Sequence, residues 1–80
     1  MIPLYGFLEG DTIGLLILAD ENDTARVLAE KLASAARSRV DPRVPLRVYH
    51  AGRLLADDAT VHVARIEALD RIDVLQDRTS

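Results

Sequence analysis

Residues 44–76 read VPLRVYHAGRLLADDATVHVARIEALDRIDVLQ, and the order of signals inside them decides the architecture. "LRVYH" (46–50) sets Leu46, Val48 and His50 against Arg47 and Tyr49, the period of two expected of a strand with one buried face. "AGR" (51–53) marks a turn and "LLA" (54–56) a very short strand. Asp57 and Asp58 open an acidic turn, where Asx side chains bond their own backbone. In "DDATVHVARI" (57–66) the β-branched Thr60, Val61 and Val63 argue for an irregular packed segment with a 3₁₀ or single helical turn. "LDRIDVLQ" (69–76) closes as a strand, with Ile72 and Val74 on one side and Leu75 near the edge.

Upstream, "PLYGFLEG" (3–10) alternates loosely and ends at the turn signal Gly10-Asp11. "TIGLLILA" (12–19) follows, with Ile13, Leu15 and Ile17 on one face and Leu16 and Leu18 on the other. The pair predicts an N-terminal hairpin in which Gly14 marks a possible bulge. "DENDTARVLAEKLASAARSRV" (20–40) predicts one amphipathic helix of about four turns. Asn22 or Asp23 would cap it, and Val27, Leu28, Leu32, Ala35 and Ala36 would form its buried face. Arg26, Glu30, Ser34 and Arg37 face outward, and Asp41-Pro42 stops the helix, because a residue before proline disfavours helical geometry. The expected order is β-β-α-β-β-β: an α+β roll with one helix packed across a mixed sheet.

Composition narrows the function classes. Eighty residues make one domain over 1–80, with the last few residues expected to be flexible. Such a chain buries only ~60–65% of its unfolded surface, so its stability margin is modest. It has no cysteine, which removes disulfides, iron–sulfur clusters and thiolate zinc sites. A net charge of −3 with scattered basic residues does not suit a phosphate backbone, so no nucleic acid is expected. "TIGLLILA" is too short to span a bilayer, and the acidic stretch before it is no signal n-region. The chain is therefore expected in the cytoplasm.

Catalytic patterns are missing. His50 and His62 stand in different elements, where zinc would need more ligands at tight spacing. The acids occupy turn and cap positions, and the serines have no elbow glycines around them. Gly10, Gly14 and Gly52 form no phosphate loop. Two features stay open between a structural and a binding role. Arg37, Arg39, Pro42 and Arg43 surround the helix exit, either complementing its dipole or offering planar donors to a partner's carboxylates. Tyr5 and Phe7 sit on the first strand, either as core or as interface anchors. Leu16 and Leu18 require a cover, from a loop or from a partner; both fully exposed and unpaired would count against an interface there.

The tail from Val48 to Leu75 resembles the ubiquitin-like β-grasp superfamily. From Pro3 to Val74 the chain resembles a narrower family, the small B component of toluene monooxygenase systems. That component is the γ subunit of the bacterial multicomponent diiron hydroxylases. The likeness is carried by "DENDT" opening the helix, "LAEK" in its middle, Arg39, Val40, Pro42 and Arg43 at its exit, and "IDV" in the last strand. It implies a non-catalytic subunit in an (αβγ)₂ assembly with hydroxylase α and β subunits. The diiron centre would lie in α, and this chain would bind no cofactor; it has no Glu-x-x-His pair of its own. A different class is a free-standing ubiquitin-like adaptor, resembling the small ubiquitin-like protein of type VII secretion. A sulfur carrier or conjugated modifier is disfavoured, since "DRTS" ends the chain and no Gly-Gly precedes it.

Overall fold

A computed structural model describes residues 1–78. Thr79 and Ser80, where flexibility was expected, lie outside the described residues. The elements are β1 (Ile2–Leu8), β2 (Leu15–Ala19), α1 (Ala25–Ala35), β3 (Leu46–His50), β4 (Arg53–Leu54) and β5 (Arg71–Gln76), in the expected order. They form one five-stranded sheet in the order β2-β1-β5-β3-β4. β1 and β5 are parallel and every other pairing is antiparallel, so the sheet is mixed.

Alternation assigns the faces. Leu4, Leu8, Ile17, Val48, Ile72 and Val74 point inward and are buried beneath Leu28, Ala29 and Leu32 of α1 and Ala36 at its C-cap. Gly6 lets the helix come close, for a Cβ there would lie 2.8 Å from Leu32 Cδ1. The 57–70 segment closes one end of this core with Val61 and Ile66. It is built from turns, as expected.

Several local expectations are corrected. The N-cap is Thr24, whose Oγ1 accepts from Val27 N at 3.3 Å, and neither Asn22 nor Asp23 caps. Asp23 is already engaged, accepting from Asp20 N and Lys31 Nζ. The amides of Ala25 and Arg26 donate to the carbonyls of Ala59 and Asp57, so the 56–60 loop satisfies helix donors that no cap reaches.

The helix is 11 residues long, shorter than four turns and ended well before Pro42. Its buried face is Ala25, Leu28, Ala29 and Leu32, continued by Ala36; Val27 lies at the margin and Ala35 is exposed. Beyond Ala36 the amides of Arg39 and Val40 both return to the Ala36 carbonyl. Val40 then packs against the core, which draws the chain off the helical path. Gly14 is no bulge, since β2 starts after it; the Phe7 ring lies where its Cβ would be, 2.5 Å away. Ile13 precedes the strand and is exposed, not inward.

Candidate docking face

One face of the sheet carries α1, and no helix covers the other. The same alternation that buries Leu4 and Leu8 sends Tyr5 and Phe7 to this open face. Strand register then sets its rows. Leu16 stands opposite Tyr5, and Tyr5 opposite Arg71. Phe7 stands opposite Asp73, Asp73 opposite Tyr49, and Tyr49 opposite Leu54. Leu75 pairs with Arg47.

The face has two apolar lobes. Tyr5, Leu16 and Leu18 form the first, at 46%, 58% and 50% exposure, and Leu54 and Leu75 beside Tyr49 form the second. Between them the Arg71 guanidinium stacks 4.0 Å from the Phe7 ring centroid and bonds Asp73 through Nη2 at 2.8 Å and Nε at 3.1 Å. A pair held this way presents a flat, neutralised bridge between apolar patches, and stacking on the ring fixes its plane. Arg47 is anchored at the margin by Asp77 at 3.0 Å.

The structure therefore brings Tyr5, Phe7, Leu16 and Leu18 together and leaves the helix-exit group apart. Leu16 and Leu18 are half-exposed, and no described loop covers them. Arg39 is engaged although its side chain stays 36% accessible: its Nε and Nη2 grip both oxygens of Asp11 at 2.8 and 3.0 Å, leaving the Asp11 side chain 1% accessible. That bidentate bond holds the Asp11 carboxyl below its ordinary range and raises the Arg39 pKa. Arg39 thus clamps the β1–β2 loop to the helix exit. Arg43 pairs with Asp41 at 3.2 Å in solvent, while Arg37 and Pro42 rim a shallow hollow between α1 and residues 41–46.

Sequence reading missed Leu54, Tyr49, Leu75, Arg71 and Asp73 as members of the face. Their alternation was visible, but which strands lie side by side was not. Among the described residues, no three His, Asp or Glu side chains converge as metal ligands. His50 Nε2 meets Asp70 Oδ2 at 3.0 Å, and the same oxygen accepts from Glu67 N at 2.9 Å. The Glu67 amide first, then His50, lowers the Asp70 pKa. This group ties β3 to the turn before β5. His62 is exposed, and its backbone amide bonds the Glu21 carbonyl. No helix among the described residues is long and apolar enough to cross a membrane.

Comparison with known proteins places this geometry. No curated protein matches the chain. Among solved structures, a chain from one described as the toluene 4-monooxygenase HD complex with the inhibitor 4-bromobenzoate superposes with a TM-score of 0.88. It is 29% identical, over 95% of this chain and 98% of that one. Caldiarchaeum subterraneum ubiquitin superposes at 0.76 with 16% identity, over 99% of this chain and 96% of its own. A structure of ATBAG1 in complex with HSP70 gives 0.77 at 10% identity, over 98% of this chain and 41% of that one. The last two show the fold, which is ubiquitin-like. The family model for toluene-4-monooxygenase system protein B (TmoB) matches residues 1–75, and the chain belongs to that family.

Proposed function

We propose that the chain is the non-catalytic γ subunit of a multicomponent diiron hydroxylase that oxidises aromatic hydrocarbons or alkenes, and that it docks through its open sheet face. Membership of the system B family makes it an accessory component of a monooxygenase. The observation that carries the docking reading is the full-length match, at 29% identity, to a chain inside a monooxygenase complex. The open face supports it: an apolar area this broad on a small protein fits burial against a partner. The partners would be the hydroxylase α and β subunits, in an (αβγ)₂ assembly located in the cytoplasm. Iron chemistry would belong to α; among the described residues of this chain no three His, Asp or Glu side chains converge as ligands. The subunit's work would be mechanical: a rigid roll offers a preformed surface and loses little freedom on binding. An obligate contact of this kind buries more than ~2,000 Å² in total.

The test is co-expression with the hydroxylase subunits, then size exclusion with an iron assay across the peak. Co-elution of the chain with the iron-containing hydroxylase is expected, with loss of the chain from that peak in a Tyr5→Asp/Leu54→Asp variant that still folds. Elution of the wild-type chain alone as an iron-free monomer would overturn the reading and favour a free-standing adaptor.

A further inference from the structure

β2 is an outer strand of the sheet, and the backbone groups on its outward edge can be identified. Pro3 has no N–H, its carbonyl accepts from Leu69 N, and Tyr5 N donates to the Asp70 carbonyl. The odd residues of β1 thus turn their backbone toward β5, and Ile2, Leu4 and Gly6 turn theirs toward β2. Their register partners are Ala19, Ile17 and Leu15, so Leu16 and Leu18 direct N–H and C=O away from the sheet. Lys31 Nζ takes the Leu18 carbonyl at 2.8 Å. The N–H and C=O of Leu16 and the N–H of Leu18 have no partner among the described residues.

An open, shallow strip runs along this edge between β2 and α1, bordered by Leu16, Ile17, Leu18, Lys31, Ser34 and Ala35, with Glu30 also beside it. Its charge is one-sided. Lys31 is neutralised by Asp23 at 2.6 Å. Glu30 beside the strip, and Asp20 and Glu21 just past the strand, have no ion-pair partner among the described residues. The edge thus presents unpaired backbone groups, apolar surface and carboxylates without an ion-pair partner among the described residues.

We infer that this edge takes an extended apolar segment of the hydroxylase, flanked by Lys or Arg, which pairs with Leu16 and adds a strand to the sheet. Main-chain hydrogen bonds at an exposed edge supply affinity, and the alternate side chains of the added strand supply specificity. Basic flanks would meet Glu30, Asp20 and Glu21. The Lys31 bond to the Leu18 carbonyl is retained, so the incoming strand exchanges both hydrogen bonds with Leu16 and accepts one from the Leu18 amide. The side chains of Leu16 and Leu18 belong to the open face, so the added strand continues the docking surface. This inference rests on the proposed function and names which part of the partner sits there.

Amide hydrogen exchange on the free chain and on its complex with the whole hydroxylase is the test. Leu16 and Leu18 amides should exchange rapidly in the free chain and become at least tenfold slower in the complex. Ile17, bonded to β1, should be slow in both. A Leu16→Pro variant removes an outward N–H and leaves the β1 ladder intact. It should weaken binding at least tenfold, and clearly more than Leu16→Ala, which shortens the side chain on the open face but keeps the outward N–H. Unprotected Leu16 and Leu18 amides in a formed complex would overturn this inference alone. Failure of the wild-type chain to join the hydroxylase would overturn the parent reading as well. Protection already present in the chain alone, at a dimer's mass, would assign the edge to a second copy and overturn the hydroxylase segment. Should Leu16→Pro not fold, the exchange result on the wild-type chain decides.

Discussion

The two faces of the sheet are made by the same strands from alternate residues, and they solve different problems. The inner face is wholly apolar: among the described residues none that packs into the core is polar or charged, and no buried side-chain polar atom lacks a partner. The open face mixes half-exposed leucines and tyrosines with an arginine–aspartate pair that satisfies itself. An inner residue is fixed by the volume left to it; an outer one is free of that constraint and, under the proposed function, answers to the docking contact instead. Substitutions should therefore separate stability from assembly.

The largest effect on folding is expected inside. Leu32→Ala removes a fully buried side chain from beneath the helix and should cost about 2–5 kcal/mol. Urea unfolding measures it, and a cost below about 1 kcal/mol would mean the inner face is loosely packed. Gly6→Ala tests the same contact from the other side. Its methyl would need Leu32 to move within a full core, so a loss of about 1–3 kcal/mol is expected. Thr24→Ala should cost about 1 kcal/mol by freeing the Val27 amide. Asn22→Ala should leave the cap unaffected.

Acid sharpens the comparison at the margins of the fold. Asp11 is lowered chiefly by the Arg39 bond, and Asp70 chiefly by the Glu67 amide. Asp23 is raised by burial but ends lowered, because Lys31 and the Asp20 amide outweigh it. Each has a folded pKa below its unfolded one, so its contribution is complete above the ordinary value of 3.8 and is lost as pH falls through the lower folded values. Melting temperature against pH should drop on the acid side of that value, and Asp11→Asn should flatten the drop. The smallest stability effect should come from the open face: Leu75→Ser should change unfolding free energy by about 0.5 kcal/mol or less. The same variant should lower co-elution with the hydroxylase, and unchanged co-elution would remove the second lobe from the docking surface.

How much of this the sequence discloses depends on whether a signal is local. The strands, the amphipathic helix and their order follow from periodicity, and so does the placing of Leu16 and Leu18 on one face, whereas Tyr5 and Phe7 stay open between core and interface. The cap was misassigned because "DENDT" offers several suitable acceptors, and the choice is made by Lys31, which claims Asp23 from within the helix. The arginines at the helix exit look alike as letters. Arg39 is separated from Arg37 and Arg43 by a carboxylate in the β1–β2 loop, far away along the chain. The open face as a unit was invisible for the same reason. Its two lobes come from opposite halves of the sequence, joined only because β5 inserts between β1 and β3.

That insertion has a consequence for how the molecule comes into being. Before residues 71–76 are available, the chain can make a β1–β2 hairpin, a helix and a β3–β4 hairpin, but nothing joins the hairpins side by side. Two unpaired edges face each other across a gap, and the strand that fills it is made after the other five elements. Assembly must wait for contacts between distant parts of the chain, which slows folding. Until that strand arrives the nascent polypeptide leaves the inner faces of two half-sheets open to water.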